Sequence, residues 1–382
     1  MRPTARGVGL AVAGLVLVGV GWRFGYAELA ALGGAALVAV GFAVLHAAWR
    51  PQLEVTRHVD PDRVGRGEPA GVTLTVRNGA RLRAANLLAH DRCGAAAVPV
   101  PVLRLRPGRD TTVDYPVPTT RRGVLRVGPL RVSRRDPLGL VTAARSHGGT
   151  ATVWVHPRIH PLRAVPTGAM RSLDGRVDSV PHGSITFDSL REYVVGDELR
   201  RVHWRTSARI GELMVREQLD TSLPKLVVLL DNRAAVHRTK GGEAPTFEAA
   251  CEAAASIITA AAREDVDATL LLVAGDTTPA THPLDRLAEA DLTAGDLKAA
   301  TDRLRQQRAG DTVIFLTGDR AQGDLGLVSA LRGPYAAVVA GVFGDSDTGT
   351  GTATPATADG MVVLDATDGE SFAAAWDGVR GW

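Results

Sequence analysis

The sequence predicts a multi-domain protein with two N-terminal transmembrane helices, a small antiparallel β-sandwich and an α/β domain built on a parallel sheet. Three features carry this expectation: two nearly unbroken apolar runs within the first fifty residues, a series of short alternating segments punctuated by turn residues, and apolar strands alternating with helical segments after residue 224. At 382 residues the chain also exceeds one ordinary core. The boundaries expected are residues 1–50 for the helical hairpin, 51–163 for the sandwich, 164–224 for a connection, and 225–382 for the α/β domain.

Residues 8–26 are apolar but for Arg23, and residues 29–49 are interrupted only by His46. Each run, as a helix rising about 1.5 Å per residue, reaches roughly the 30 Å of a hydrocarbon core. Glycines in both suit close helix approach, and Trp22, Tyr26 and Trp49 stand where interfacial aromatics belong. Only a tight turn fits between the runs, so both ends emerge on one side. Arg2 and Arg6 before the first helix, with Arg50 and Arg57 after the second, place that side in the cytoplasm and make this a two-span cell-membrane protein. A cleaved signal peptide is the alternative, but it would leave the second span in place, and no strong small-x-small site separates the two runs.

In residues 71–78, Val72, Leu74 and Val76 alternate with Thr73, Thr75 and Arg77, the period of a half-buried strand, before an Asn78-Gly79 turn. Further strands are expected at 85–89, 111–117, 123–127, 130–134 and 151–156, with no long amphipathic helix among them. Short strands joined by turns define a sandwich. Residues 162–184 lack periodicity and read as an irregular connection. Beyond it, strands at 225–230, 268–273, 312–316, 335–343 and 361–364 alternate with helices at 246–264, 293–308, 324–332 and 371–379, a pattern that calls for a parallel sheet covered on both faces. Residues 344–360, rich in Gly, Thr, Ala and Asp, are expected to be flexible.

With 44 basic against 41 acidic residues the formal charge is +3, which gives no nucleic-acid signature. Cys93 and Cys251 belong to no zinc or disulfide spacing, and a reducing compartment is the simpler reading. Neither a phosphate-binding GxxxxGK[ST] loop nor an HExxH helix is present, and no cofactor is expected. His203, Ser207 and Asp197 could be imagined as a nucleophilic set, but sequence proximity does not establish the geometry that such a set needs.

The most specific segment is Leu190-Arg191-Glu192-Tyr193, then Gly196-Asp197, Arg200, Val202-His203-Trp204 and Ser207-Ala208-Arg209. Gly196-Asp197 reads as a turn into a helix with Asp197 as N-cap, and Arg200 and Trp204, four apart, share a face. Two readings stand: Tyr193 and Trp204 buried as a clamp of the lead-in onto the sheet, or the same segment as a partner-docking surface. The segment strongly resembles the LREY-x-x-GD-x-x-R-x-[IV]-[HD]-W signature of the domain-of-unknown-function 58 family. Upstream, Gly123 to Gly128 and Asp136-Pro137-Leu138-Gly139-Leu140 resemble its RG-x-x-x-x-GP and DP-[FL]-GL segments.

That resemblance implies a von Willebrand factor A-like (Rossmann-type) sheet domain in the cytoplasm and a partnership with a MoxR-type AAA+ ATPase, and brings no defined reaction. Von Willebrand factor A modules often hold a divalent cation in a D-x-S-x-S loop after the first sheet strand. Here the loop reads Asp231-Asn232-Arg233-Ala234-Ala235: Asp231 keeps the carboxylate, while Arg233 and Ala235 replace the hydroxyl ligands. Either Arg233 takes the place of the ion, pairing with Asp231 or with Asp319, or it points to solvent. The function expected is that of a membrane-anchored, non-catalytic adaptor or assembly factor without nucleic-acid partners. A cell-envelope structural protein and an unrecognised hydrolase are the alternatives.

Overall fold

The computed structural model describes residues 2–48, 53–79, 88–94, 96–100, 105–106, 108–166, 187–193, 202–219, 225–275, 282–307, 311–344, 356–358 and 360–379. The chain forms two compact units, Met1–His156 and Pro157–Trp382.

The first unit opens with β1 (Arg2–Pro3), α1 (Ala5–Phe24) and α2 (Ala27–Ala48). Both helices are long and apolar enough to cross a membrane. Thr4 caps α1, its hydroxyl accepting the Gly7 amide at 3.1 Å, and Gly25 ends it with φ 74°, a left-handed value that glycine adopts without strain. The helices touch through glycine: a Cβ on Gly33 would lie 2.6 Å from the Gly14 carbonyl.

The strands that follow are β2 (Leu53–Asp60), β3 (Arg63–Gly65), β4 (Gly71–Asn78), β5 (Leu88–Cys93), β6 (Ala96–Val100), β7 (Asp110–Pro116), β8 (Gly123–Val127), β9 (Leu130–Arg135), β10 (Val141–His147) and β11 (Ala151–His156). They build a large sheet in the order β1-β10-β9-β5-β8-β11-β3, with β6 on β5, and a small sheet β2-β4-β7. Every pairing is antiparallel except β3 with β11. Val72, Leu74 and Val76 of β4 face Val127, Leu130, Val153 and Val155 of the large sheet in one apolar core. Of the strands expected in this unit, 85–89 falls partly outside the described residues; the others appear within a residue of their expected limits. β1, β2, β3, β6 and β10 carry weaker local signals and were not expected.

One polar group lies in this core. Asp91, fully buried, is gripped by the Arg57 guanidinium at 2.8–3.2 Å, and the Tyr115 hydroxyl donates to it at 2.5 Å. Arg57 also reaches the Gly149 carbonyl at 2.6 Å. Burial and the neighbouring carboxylate push the Tyr115 phenol above its usual range. Arg57, expected among the charges flanking the membrane, is therefore an internal counter-ion of the sandwich, with a side chain only 5% exposed.

The second unit contains β12 (Phe187–Glu192), α3 (Trp204–Ile210), β13 (Met214–Leu219), β14 (Lys225–Leu230), α4 (Pro245–Arg263), β15 (Asp267–Leu272), α5 (Pro283–Glu289), α6 (Leu297–Gln307), β16 (Thr312–Gly318), α7 (Leu325–Ser329), β17 (Ala337–Phe343), β18 (Ala356–Ala358), β19 (Met361–Ala366) and α8 (Gly369–Asp377). Its sheet runs β15-β14-β16-β17-β19-β18, parallel throughout except for β18. β16 and β17 are buried at every residue, as expected of strands covered on both faces. One core joins the sheet to α4 and α8 through Cys251, Ile257, Phe372 and Trp376; the other packs Leu297, Leu304, Leu331 and Tyr335 against Phe315 and Val338.

Several expectations are refined here. Residues 157–166, expected to belong partly to the sandwich, lie along the α/β unit: Leu162 and Val165 enter its core, and Trp376 Nε1 donates to the Ala164 carbonyl at 2.8 Å. The helix expected from residue 293 starts at Leu297, because Thr293 bridges to Arg233 and Asp296 accepts the Lys298 amide at 2.9 Å. Residues 319–332 form 3-10 turns flanking the short α7 rather than one helix. Part of the segment expected to be flexible, Ala356–Ala358, is a strand on β19.

Candidate functional site

Two places bear the residues singled out by sequence. The first is the signature segment. β12 and β13 pair antiparallel from Phe187 with Leu219 to Glu192 with Met214, which places the backbone of Leu190, Arg191 and Glu192 in a ladder. Tyr193 continues it, its amide donating to the Leu213 carbonyl at 2.8 Å. Gly196, Asp197 and Arg200 lie outside the described residues. The helix that follows starts at Trp204, with His203 as its cap: His203 Nδ1 accepts the Thr206 amide at 3.2 Å and lies 2.7 Å from the Thr206 hydroxyl. Buried Ser207 accepts the Met214 amide at 2.8 Å and donates to the His203 carbonyl at 3.1 Å. The imidazole thus caps α3 and the Ser207 hydroxyl ties it to β13, and the two are not bonded to each other as a base and nucleophile would be.

Trp204 corrects the sequence reading. Of the two readings, the buried clamp fails for this residue: it is 63% exposed, because the helix begins here and turns Ser207 inward instead. Ile210 and Leu213 are exposed with it, as are Arg205 and Arg209. Trp204→Ala is accordingly expected to leave the fold within about 0.5 kcal/mol of the parent, whereas Ser207→Ala leaves the partly buried Met214 amide without its acceptor at a cost of about 1 kcal/mol. Hydrogen exchange of the β13 amides measures both; protection that drops for Trp204→Ala but not for Ser207→Ala would reverse the assignment.

The second place is the carboxyl end of the parallel sheet. The chain leaves β14 for β15 on one side and returns to β16 on the other, so the strand order reverses between β14 and β16, the position where open α/β sheets form a crevice. Asp231 follows β14, its amide donating to Leu316 of β16 at 2.8 Å, and is fully buried. Arg233 folds back on it as a fork, Nε to Oδ1 at 2.9 Å and Nη2 to Oδ2 at 2.8 Å. The same Nη2 meets Asp324 at 2.8 Å, and the Thr317 hydroxyl donates to Asp231 Oδ2 at 2.8 Å. These carboxylates raise the Arg233 guanidinium further above its already high range, against the opposing effect of burial. Ala235 is exposed and offers no side-chain oxygen.

Asp319 stands in the same crevice, paired with Arg238 and not with Arg233. Its other oxygen, Oδ1, is buried and meets no donor among the described residues. His237, buried beneath the loop, lies 2.6 Å from the Asp231 carbonyl through Nε2 and 3.2 Å from the Thr246 hydroxyl through Nδ1. A carbonyl only accepts, so Nε2 carries the proton; burial holds the ring's pKa below its usual value. Asn232 fixes the loop from the other side, bonded to both the amide and the carbonyl of Ala274. Thr317, Asp324, His237 and Arg238 were missed by sequence, although Thr317 lies near the end of β16, the strand beside β14, and so carried a positional signal.

Two apolar helices long enough to cross a membrane, a β-sandwich and a parallel α/β sheet with an arginine-filled crevice define a multi-domain protein. Residues 189–333 match the family described as Protein of unknown function DUF58. The uncharacterized protein YeaD of Bacillus subtilis (strain 168) is 26% identical over 192 residues, 47% of this chain and 48% of that one, so the match spans about half of each. Among solved structures, the CARDB domain of the PF1109 protein from Pyrococcus furiosus aligns over 28% of this chain and 88% of its own, at 20% identity and a TM-score of 0.22. The putative ApaA protein from Bordetella pertussis aligns over 28% of this chain and 94% of its own, at 14% identity and a TM-score of 0.20. Scores this low carry nothing about this chain's fold or function.

Proposed function

We propose that the protein is a membrane-anchored, non-catalytic adaptor or assembly factor that presents a degenerate von Willebrand factor A-like domain in the cytoplasm and works with a MoxR-type AAA+ ATPase. The observation that carries this reading is the signature helix α3: its polar side chains His203 and Ser207 are consumed in holding the helix, while Trp204, Ile210 and Leu213 face solvent. An apolar set flanked by Arg205 and Arg209 suits a protein surface that is apolar at its centre and acidic at its rim. The crevice supports the same reading. A divalent cation needs several free oxygens, and here both oxygens of Asp231 are engaged by a guanidinium. The donor set does not fit a metal, and no metal-dependent contact or step is assigned to it.

The ATPase partner comes from the family resemblance, together with the lack of a phosphate-binding loop in this chain. Isolation of the full-length protein from native membranes should bring a MoxR-type ATPase with it, and Trp204→Ala/Ile210→Ala should lose most of that yield. Undiminished recovery by the double variant would remove α3 from the contact, and recovery after deletion of residues 185–382 would remove the parallel-sheet domain from it.

A further inference from the structure

The turn between β9 and β10 lies against the beginning of the first apolar helix. The Leu140 carbonyl accepts the Thr4 amide at 2.9 Å, and the Thr4 hydroxyl lies 2.9 Å from the Gly139 carbonyl. A Cβ on Gly7 would collide with the Leu140 carbonyl, so turn and helix meet backbone to backbone. Leu140, Val141 and Ala143 then join Ala43 and Ala47 of α2 in a small apolar cluster, with Leu10 and Val40 packed against it. The turn itself is rigid: buried Asp136 accepts the amides of Leu138 at 2.9 Å and Val141 at 2.6 Å.

Because α1 has 20 residues, its whole length of about 30 Å is needed to cross a hydrocarbon core, and its first turn lies at the boundary with water. The turn packed on it therefore stands at the same depth. At its tip Pro137 and Leu138 are exposed, Leu138 at 52%, and Arg2 and Arg6 are exposed beside the start of the helix. An apolar tip with nearby arginines is the chemistry of a surface that meets anionic phospholipid.

We propose that the Asp136–Leu140 turn is a membrane foot: Leu138 enters the interfacial layer of the bilayer, Arg2 and Arg6 meet its anionic headgroups, and the sandwich is thereby held at a fixed depth. The proposal rests on the reading that α1 and α2 cross the bilayer. The DP-[FL]-GL segment, which the adaptor function does not use, acquires a role in this way: Asp136 shapes the turn, Gly139 and Leu140 dock it on the helix, and Leu138 faces lipid.

The test uses full-length protein in nanodiscs of phosphatidylcholine and phosphatidylglycerol, carrying an environment-sensitive fluorophore on Leu138→Cys, on Leu15→Cys or on Thr73→Cys. Cys93 and Cys251 are buried and take no label in the folded protein. Lipids with a nitroxide near the headgroup should abolish most of the Leu138 emission and leave the Thr73 emission intact, while nitroxides near the chain end should quench Leu15. If Leu15 is quenched but Leu138 keeps its emission, whether open to aqueous iodide or shielded by protein, the foot is disproved with the spans intact. If Leu15 is not quenched, the spans fail and the foot falls with them.

Discussion

Replacing Arg57 with alanine is expected to loosen the sandwich by about 3–5 kcal/mol, because it leaves the fully buried Asp91 carboxylate without its counter-ion. Among the described residues, the Tyr115 hydroxyl and the Arg92 amide, at 2.5 and 3.1 Å, would remain to hold that charge. The two cysteines report the effect by unit, since Cys93 is buried in the sandwich core and Cys251 in the α/β core. Pulsed thiol labelling of Arg57→Ala should react Cys93 faster by roughly two to four powers of ten, the factor that such a free-energy loss implies, with Cys251 unchanged. Arg57→Lys should recover only part of the protection, because an ammonium cannot make the two-pronged contact. A Cys93 rate equal to the parent's would mean that the pair contributes nothing to the sandwich.

Arg233→Ala should have a comparable effect in the other unit, exposing Cys251 while leaving Cys93 protected. Asp231 is fully buried and would keep one hydroxyl contact, from Thr317, and the Arg233 backbone amide at 3.2 Å. The loss expected is again about 3–5 kcal/mol. In the parent, calorimetric titration with magnesium and manganese should show no saturable binding at micromolar concentration, since the guanidinium occupies the carboxylate. Micromolar binding that disappears in Asp231→Ala would overturn both the arginine substitution and the metal-free reading of the crevice.

How much was legible in the sequence depended on how local each determinant is. β4 announced itself by strict alternation, and β16 and β17 by unbroken apolar runs, because in each the neighbours in sequence carry the burial pattern. The two apolar helices were legible for the same reason. β1 was not, since two residues hold no period and its partner lies at Val141–His147. Likewise Arg57 and Asp91 look like ordinary surface charges until β2 and β5 come together. Asp231 and Arg233 were recognisable by loop position, but Thr317 and Asp324 reach them only through the parallel crossover. Trp204 was misjudged because size and apolarity suggest burial, whereas the register of α3 decides which residue faces in.

The pairing of β1 with β10 has a consequence for handling the protein without its two apolar N-terminal helices. β1, though only Arg2–Pro3, occupies one border of the large sheet, and the two helices cover Leu140, Val141 and Ala143 beside it. A chain started after the hairpin would uncover both at once: the Val141–Thr142 end of the β10 edge, and an apolar strip next to it. That is a template on which a second molecule can add its own strand. Trimming the helices to remove their exposed apolar surface would thus favour self-association through this border.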